Sequence, residues 1–512
     1  MRGTTYLFLG RVVSRIVGII GGLFLIRLLT PEEYGLIYVA GVVPGVLGIL
    51  CGWFGLGPAV IKFIAEYRSK GRLGDVRQII YSSLAFSLGT SAIMTAVCYL
   101  FAGDLTRIIL NRSDIAPLIR ISAFFILNSA LYFSAESILI GLEAVGTYTT
   151  FMILNECLMK ILPIAAVVAH LGVSGVLLGM VFAGLISNVF GVLMALRIEA
   201  QRSSPPSLSS RQALKTLLIY GIPLGMTDLL SLGLERFYGL MVAMHCSTYE
   251  IGNYQAAGKA VSFISYLTFP VFTALLPALS KIDPEKEPDL LRKAYAYCVR
   301  YSSLLVLPAI AAMAVLARPI TTFLFGEKYQ NAWLYLALLS VTKLTFGLGG
   351  PHLQRVFTAQ GHTKLVAKLD ALTTLLAVCL GLALIPPYGI IGLIITSFAS
   401  QWPSYLLAVK MAHERYGISP PLRGVWRVYI LAMMVGVLIM PVTLMLTDQN
   451  LQLIGGAIIG VTTYIIIAPL TRILTERDIR FLRRISKGQP VIEHVFSKVL
   501  GVMEFISNMR VS

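Results

Sequence analysis

Residues 4–29 read TTYLFLGRVVSRIVGIIGGLFLIRLL, and this stretch decides the fold class. It is long enough to cross a bilayer as a helix, which takes about 20 apolar residues. It nevertheless carries Arg11 and Arg15 well inside its ends, four residues apart and therefore on one helix face. A charged side chain at mid-membrane costs roughly 2.5–3.5 kcal/mol or more. The stretch therefore predicts a membrane helix with a functional polar face.

Two explanations are open for these arginines. Either a water-filled cavity between helices surrounds them and receives an anionic ligand, or they reach the cytoplasmic headgroups or pair with a neighbouring helix. The cavity is favoured more strongly for Arg15, which lies about one turn deeper than Arg11. Arg27, at the other end of the stretch, is expected to reach the headgroup layer.

The composition is that of a membrane protein. Of the 512 residues, 56% are apolar and 13% are charged, and the mean hydropathy is +0.79; soluble domains have about 25% charged residues. The apolar runs are continuous, which predicts an all-α polytopic membrane protein. The net charge of +17 does not indicate a nucleic-acid partner, because the basic residues are concentrated in every second loop.

The apolar runs predict about fourteen transmembrane helices. They fall at residues 4–29, 36–61, 77–101, 115–141, 147–169, 172–197, 214–245, 253–280, 291–316, 330–357, 364–386, 389–411, 426–446 and 451–473. Lysine and arginine are frequent in the loops 62–77 and 410–427 and absent from 30–35 and 447–450. This asymmetry predicts a cell-membrane protein with both termini in the cytoplasm. The loop 281–293, which has four acids and four bases, is neutral on this point.

Short matches recur at one spacing and indicate an internal repeat. Glu33-Tyr34-Gly35 matches Glu250-Ile251-Gly252, and Gly172 matches Gly389. Both matches have the same separation along the chain (33 to 250 and 172 to 389), which we call the repeat offset. The matched loops predict two six-helix lobes of the same orientation, related by an axis along the membrane normal, with a cleft between them.

The predicted domains follow from this repeat. They are an N-terminal six-helix lobe (1–198), a cytoplasmic linker (199–213), a C-terminal six-helix lobe (214–412), an extra helix pair (426–473) and a basic cytoplasmic tail (475–512). The tail has apolar residues at helical spacing and predicts an amphipathic helix on the anionic inner leaflet. A partly ordered tail is the alternative.

Cations inside the predicted spans form the candidate substrate site. They suit phosphate or pyrophosphate, whose oxygens arginine binds bidentately. The set consists of Arg11, Arg15, Arg236, Lys259 and Arg355.

Acids inside the spans have two open roles. Asp228 and Glu235 are candidates for coupling to H⁺ or Na⁺, since a carboxylate at membrane depth pairs, protonates or binds a cation. Alternatively they only neutralise Arg11 and Arg236. Asp228 follows Arg11 at the repeat offset, which suggests a cross-cleft ion pair in one state. The charges of the fourth and fifth spans are expected to pair among themselves: Arg120, Glu136, Glu143, Glu156 and Lys160.

No catalytic motif accompanies these charges. The sequence has no phosphate-binding loop, zinc-protease motif or nucleophile elbow, and its six cysteines have no metal-ligand spacing. The chain is therefore expected not to be an enzyme and to use no cofactor or metal, although an H⁺ or Na⁺ gradient or the membrane potential is a candidate driving force.

Four stretches resemble the polysaccharide and oligosaccharidyl-lipid flippases of the multidrug/oligosaccharidyl-lipid/polysaccharide (MOP) exporter superfamily, which includes lipid II flippases and stage V sporulation protein B-like proteins. They are RLLTPEEYG (27–35), IKFIAEY (61–67), FGEKY (325–329) and YGIIG (388–392). The resemblance implies a cleft that faces each side of the membrane alternately and carries a lipid-linked sugar. It also implies that arginines of the first helix, here Arg11 and Arg15, line the cleft, and that the extra helix pair holds the lipid tail.

The expected function is a flippase that moves a polyprenyl- or dolichyl-(di)phosphate-linked oligosaccharide from the inner to the outer leaflet for cell-envelope glycan synthesis. Its partners would be this substrate and membrane lipids, and the chain is expected to act as a monomer. One alternative is a cation-coupled antiporter of organic cations, which the arginines disfavour. Another is an outer-face glycan polymerase or ligase, which the short outer loops disfavour.

Overall fold

The computed structural model describes residues 2–49, 51, 55–200, 205–471, 473–474, 501 and 503–504, and gives the backbone alone for residues 2–9, 226–228, 231, 265–278 and 423. This part of the chain is helical and contains no strand. Its helices are α1 (Arg2–Leu28), α2 (Pro31–Ile49), α3 (Leu56–Ser69), α4 (Leu73–Leu100), α5 (Ala102–Leu105), α6 (Ala116–Ser122), α7 (Phe124–Gly141), α8 (Val145–Val168), α9 (Gly172–Ala200), α10 (Ser210–His245), α11 (Thr248–Ser280), α12 (Pro288–Val315), α13 (Ala317–Phe325), α14 (Ala332–Thr342), α15 (Gly350–Ala359), α16 (Thr363–Ala399), α17 (Gln401–Tyr416), α18 (Leu422–Met445) and α19 (Gln449–Leu470). A π-helical turn (Thr106–Leu110) follows α5, and a 3₁₀ segment (Lys343–Leu348) follows α14.

Within this described part, nine helical stretches are long and apolar enough to cross a membrane, or ten if α14 and α15, bent by 50°, form one span. The longest, Thr363–Tyr416, joins α16 and α17. The chain turns back inside it, since Gly389 has a φ of 54° and a Cβ at Gly392 would overlap the carbonyl of Leu384. The predicted all-α polytopic fold is confirmed, and the total of fourteen spans stays a prediction.

The chain packs as two compact units. The first unit comprises Met1–Asn253 and Thr374–Ser397, and the second comprises Tyr254–Thr373 and Phe398–Ser512. The helix α10 belongs to the first unit because it lies against α2, α3 and α4. These units describe packing, whereas the predicted lobes follow the sequence repeat, so the lobe boundaries stay a prediction. The predicted tail at 475–512 lies outside the described residues except for 501, 503 and 504.

The second predicted span, 36–61, is wrong in its bounds, because α2 ends at Ile49 and a separate helix, α3, begins at Leu56. Pro44 lies inside α2 and has no N–H to donate to the carbonyl of Ala40. The hydroxyl of Ser122 on α6 donates to that carbonyl instead, at 2.6 Å. A proline in an apolar helix is thus compensated by a side chain from another helix.

The second helices of the two repeats, α2 and α11, begin with the same local structure. Thr30 and Glu33 form a capping box before α2, and Ser247 and Glu250 form one before α11. These pairs are separated by the repeat offset (30 to 247 and 33 to 250), as the sequence matches are. The internal repeat therefore extends to the hydrogen bonds that start each helix.

The extra helix pair, α18 and α19, packs in the second unit on a small apolar cluster. Leu316, Val435 and Ile439 form this cluster, and all three are buried. Gly456 and Gly460 of α19 face it without a side chain, so that α19 approaches α18 and the start of α13 closely. Both predicted helices, 426–446 and 451–473, are therefore present and fixed to the second unit.

Candidate functional site

The helix α1 packs in parallel against α8 through small residues. A Cβ at Gly10 would overlap Thr149, one at Gly18 would meet Glu156, and one at Gly21 would meet Lys160. We call Gly10, Ser14, Gly18 and Gly21 the small-residue face of α1. Without a hydrophobic force between helices in lipid, such small residues allow the close backbone approach that holds membrane helices together.

Arg11 and Arg15 each follow a member of the small-residue face and are rotated from it by about 100°. Both side chains are exposed in the structure. They lie about 14 Å and 20 Å along α1 from its first residue, at roughly 1.5 Å per residue. Packing against α8 thus fixes the helix and leaves both guanidinium groups on its accessible side.

A different face of α1 is apolar and exposed. It consists of Val12, Ile16, Ile20 and Phe24, spaced four residues apart. Arg27 falls on the side of α1 that carries Ile16 and Ile20, because 11 and 7 residues correspond to about three and two helical turns. The three arginines of α1 are therefore not equivalent: Arg27 extends the apolar face, whereas Arg11 and Arg15 lie between the apolar face and the small-residue face.

Polar groups of α7 and α8 lie beside Arg11. Arg11 is close enough to the hydroxyl of Tyr148 for electrostatic interaction. That hydroxyl donates to Oε1 of Glu136 at 2.7 Å. Glu136 is therefore held by a tyrosine, and it forms none of the ion pairs predicted for the fourth and fifth spans with a side chain that the structure describes.

One of those predicted pairs is confirmed and one is wrong. Lys160 Nζ lies 3.4 Å from Oε1 of Glu156, four residues earlier on α8. Glu143 instead pairs with Arg68 at 3.4 Å, because it follows the end of α7, where α3 also ends. The acids next to α1 thus have partners of their own, and the sequence could not indicate the tyrosine or the arginine involved.

Arg236 lies on α10 in a space that a glycine provides. A Cβ at Gly45 of α2 would stand 3.0–3.2 Å from its guanidinium atoms. Its Nε is buried and has no hydrogen-bond acceptor among the described residues. Glu235 is exposed on the same helix and forms no ion pair with a side chain that the structure describes. The side chain of Asp228 lies outside the described residues.

The remaining predicted cations belong to the second unit. Lys259 is exposed on α11 and Arg355 is exposed on α15. Arg355 acts electrostatically on His352, whose Nε2 is hydrogen-bonded to the hydroxyl of Ser302 at 2.8 Å. The predicted cationic set is therefore divided, with three arginines in the first unit and Lys259 and Arg355 in the second.

The tenth predicted span, 330–357, is broken, which the sequence analysis did not predict. The 3₁₀ segment Lys343–Leu348 interrupts it, and Gly349 has a φ of 80°. Three tyrosine hydroxyls from other helices donate to the carbonyls that the break exposes: Tyr429 to Leu344, Tyr405 to Leu348 and Tyr295 to Gly349, at 2.7, 2.8 and 3.4 Å. The available sequence signal was Gly347-Leu348-Gly349-Gly350-Pro351, since Gly and Pro together disfavour a continuous helix.

A family model described as "Polysaccharide biosynthesis protein" matches residues 24–334, more than half of the chain. The chain belongs to the polysaccharide biosynthesis protein family. The matched residues include the end of α1 that carries Arg27, all of α2 to α13, and the start of α14.

Curated proteins that are similar to this chain are distant in sequence. Succinoglycan biosynthesis transport protein ExoT of Rhizobium meliloti (strain 1021) is 22% identical over 320 residues, which cover 62% of this chain and 61% of that protein. Lipid II flippase MurJ of Bacillus subtilis (strain 168) is 22% identical over 373 residues, which cover 64% of this chain and 66% of that protein. Each alignment spans less than two thirds of the relative.

Solved structures show the fold. Lipid II flippase MurJ in an inward closed conformation is similar with a TM-score of 0.73 and 15% identity, covering 91% of this chain and 98% of that chain. An inward-facing multidrug resistance MATE family transporter of the MOP superfamily is similar with a TM-score of 0.63 and 16% identity, covering 79% and 94%. The family member described here therefore has the MOP transporter fold, as the resemblance implied.

Proposed function

We propose that the protein is a flippase that moves a lipid-linked oligosaccharide from the inner to the outer leaflet of the cell membrane for polysaccharide synthesis. The family and the names of its relatives support transport in polysaccharide biosynthesis. The carrier is a polyprenyl or dolichyl phosphate or diphosphate, and both termini are in the cytoplasm. Transport proceeds by alternating access and requires no catalytic step in this chain.

The placement of Arg11 and Arg15 carries this proposal. They lie deep along α1, exposed, on a helix that Gly10 and Gly18 fix against α8. A charge at that depth is costly in hydrocarbon, which favours a wet, polar path for a headgroup beside this side of α1. The anionic phosphate of a lipid carrier fits, because guanidinium groups bind its oxygens bidentately. The sugar then crosses with the headgroup while the lipid tail stays among lipids.

The other candidate residues have subordinate roles in this proposal. Arg236, Lys259 and Arg355 add positive charge along the path of the headgroup. Glu235 and Asp228 couple transport to a cation gradient. An organic-cation antiporter shares the fold, but exposed arginines on the first helix would repel a cationic substrate.

Leaflet exchange in liposomes tests the proposal. The full chain is reconstituted, and exchange of a fluorescent undecaprenyl-diphosphate sugar is followed by quenching from outside. Arg15→Ala should slow exchange about tenfold or more, as expected for loss of a charge-assisted hydrogen bond. Arg27→Ala is the matched control, because it removes an exposed arginine from the end of the same helix, and it should leave exchange unchanged.

Two results would contradict the proposal. If the wild-type chain exchanges no lipid-linked sugar under any imposed H⁺ or Na⁺ gradient, the function is not a flippase. If Arg15→Ala and Arg27→Ala slow exchange equally while both proteins remain folded by gel filtration, the deep arginine has no special role. Export of ethidium by the wild type would instead support the antiporter.

A further inference from the structure

A polar cavity in the second unit has no role in the site described above. Its volume is about 390 Å³, and it lies where α12, α13 and α14 meet the turn between α18 and α19. Its polar lining consists of Arg318, Trp333, Thr443, Thr447, Gln449 and Gln452. We call it the Arg318 pocket. Small-molecule sites have volumes of roughly 300–1,000 Å³ and a few convergent polar groups, so the Arg318 pocket is of suitable size.

Hydrogen bonds that do not involve the side chains of Arg318, Trp333 or Gln449 hold the walls of the Arg318 pocket in place. The amide of Gln452 donates to the carbonyls of Thr443 and Leu446, which end α18, at 3.1 and 2.6 Å. Asp448 accepts from the N–H groups of Asn450 and Leu451 and so caps α19. The turn between the extra helices is therefore preorganised.

Two polar groups of the Arg318 pocket lack partners among the described residues. Oε1 of Gln449 is buried and accepts no hydrogen bond from a described residue. Arg318 is exposed to the cavity and forms no ion pair with a side chain that the structure describes. A ligand with a hydroxyl donor and an anionic group would match the acceptor of Gln449 and the guanidinium of Arg318.

The first repeat contains a similar turn. After α4 the chain breaks at Phe101 (φ −95°, ψ 14°), and after α12 it breaks at Leu316 (φ −85°, ψ 15°). The hydroxyl of Thr106 donates to the carbonyl of Ala102 at 2.9 Å. The equivalent bond in the second repeat joins Thr321 to Ala317, also at 2.9 Å. The donors of the two bonds (106 and 321) and their acceptors (102 and 317) have the same separation along the chain, which is close to the repeat offset.

The two turns differ where the Arg318 pocket forms. At the position equivalent to Arg318 by this same shift (103 to 318), the first repeat has Gly103. The second residue of α14 is Trp333, whereas the second residue of α6 is Pro117. At these two positions the guanidinium and the indole are therefore present in the second repeat and absent from the first. The extra helix pair packs against the second repeat and supplies Gln449 to the pocket. Folding alone does not require these additions, because the first repeat builds the same turn without them.

We propose that the Arg318 pocket binds a carboxylate-bearing sugar unit of the transported glycan. The guanidinium of Arg318 binds the carboxylate, the indole of Trp333 packs against the C–H face of the sugar ring, and Gln449 accepts a hydrogen bond from a sugar hydroxyl. The pocket lies at the end of α18 opposite the cytoplasmic tail, so the sugar is held on the outer side. This inference rests on the proposed flippase function and names one chemical class of its substrate.

Binding of a soluble probe separates this inference from transport. The full chain in lipid nanodiscs is titrated with digalacturonic acid and with its neutral dimethyl ester, and binding is followed by calorimetry. The acid should bind about tenfold more tightly than the ester, because the ester cannot pair with the guanidinium. Arg318→Ala should abolish this preference, Trp333→Ala should weaken binding of both probes, and Gln449→Leu should weaken both to a smaller extent.

Matched variants control for folding and for general charge. Arg107→Ala removes an exposed arginine from the equivalent turn of the first repeat, and Trp426→Phe removes an exposed indole from the far end of α18. Both should bind the acid as the wild type does. Equal binding of acid and ester, an unchanged preference in Arg318→Ala, or no binding of the acid up to millimolar concentration would overturn the inference. If these binding results overturn the inference while leaflet exchange persists, the flippase proposal still stands. If the acid binds as expected but no exchange is found, the pocket inference stands and the flippase proposal is contradicted.

Discussion

Asp75 near the start of α4 and Arg292 near the start of α12 perform the same task with opposite charge. They are separated by the repeat offset (75 to 292). Asp75 accepts hydrogen bonds from the N–H groups of Ser207 and Leu208, both at 2.8 Å. Arg292 donates through Nε to the carbonyl of Tyr416 at 2.8 Å. Each side chain ties the segment that leaves its repeat to the start of the helix, α4 or α12, that forms the third predicted span of that repeat.

The difference arises from what the tied segment presents. In the first unit the segment before α10 is non-helical at Ser207 and Leu208 and offers N–H groups, which need an acceptor. In the second unit α17 ends at Tyr416 and offers its last carbonyls, which need a donor and favour a positive charge. The two repeats therefore share the position of this side chain and the pair of segments that it joins, but they differ in residue type. Arg11 and Asp228 also have opposite charges at positions separated by the repeat offset. Different local partners in the two repeats would explain these opposite charges as well as a cross-cleft ion pair would.

The sharpest test of the repeat concerns two glycines with reciprocal contacts. A Cβ at Gly35 would overlap the carbonyl of Thr248, and a Cβ at Gly252 would overlap the carbonyl of Pro31. Backbone atoms cannot yield as side chains do, so Gly35→Ala and Gly252→Ala should each destabilise the protein by about 3 kcal/mol. Thermal unfolding of the purified protein in detergent measures the loss.

The same helices supply the control. Gly41 and Gly258 are also separated by the repeat offset (41 to 258), and neither has an atom within 4 Å of a built Cβ. Gly41→Ala and Gly258→Ala should leave stability unchanged or raise it by up to about 1 kcal/mol. If Gly35→Ala is tolerated as well as Gly41→Ala, the reciprocal contact does not constrain the first unit.

Because Asp75 is more deeply buried than Arg292, its replacement should lower the stability of the protein more. The side chain of Asp75 is 2% exposed, whereas that of Arg292 is 47% exposed. Asp75→Ala leaves two N–H groups without an acceptor and should destabilise the protein by about 3 kcal/mol, whereas Arg292→Ala should cost about 1 kcal/mol. Unfolding midpoints, together with the rate of proteolysis at the linker 199–213, measure both effects.

The exposed pair of Arg112 and Asp114 controls for loss of a surface charge. Asp114 lies outside the membrane-spanning helices, and its hydrogen bond from Arg112 holds the pKa of Asp114 below its usual range. Asp114→Ala should change stability by less than about 1 kcal/mol. Equal losses for Asp75→Ala and Arg292→Ala would show that burial does not decide the strength of these contacts.

The sequence predicted what depends on local pattern. The helical class, the positions of most spans and the extra pair follow from apolar runs, and the repeat follows from short motifs such as Glu33-Tyr34-Gly35. The small-residue face of α1 was not predicted, although Gly10, Ser14, Gly18 and Gly21 stand at helical spacing. Its partner was not readable, since apolar helices carry little information about which neighbour they contact.

The features that were missed depend on contacts between distant segments. The break in the tenth span is stable because tyrosines such as Tyr429, far along the chain from Leu344, satisfy its carbonyls. Inside the second predicted span, α2 continues past Pro44 because a serine from another helix donates to the carbonyl of Ala40. Among the candidate site residues, the sequence located charges within the predicted spans, but the hydrogen bond from Tyr148 to Glu136 is a tertiary feature. Polar satisfaction of a membrane interior is decided across helices, and a single sequence does not record the partners.

The smallest predicted effect tests whether the repeat is symmetric in energy as well as in geometry. The capping-box distances are nearly equal: Thr30 N–H to Glu33 is 2.8 Å and Ser247 N–H to Glu250 is 2.9 Å. Thr30→Ala and Ser247→Ala should therefore each cost about 1 kcal/mol, the usual value for an N-cap. Ser209→Ala, at the capping box of α10, gives the value for a cap outside the matched pair. A clearly larger loss for Thr30→Ala, whose bonds are half-buried, would show that burial outweighs equivalent position here too, as it should for Asp75 and Arg292.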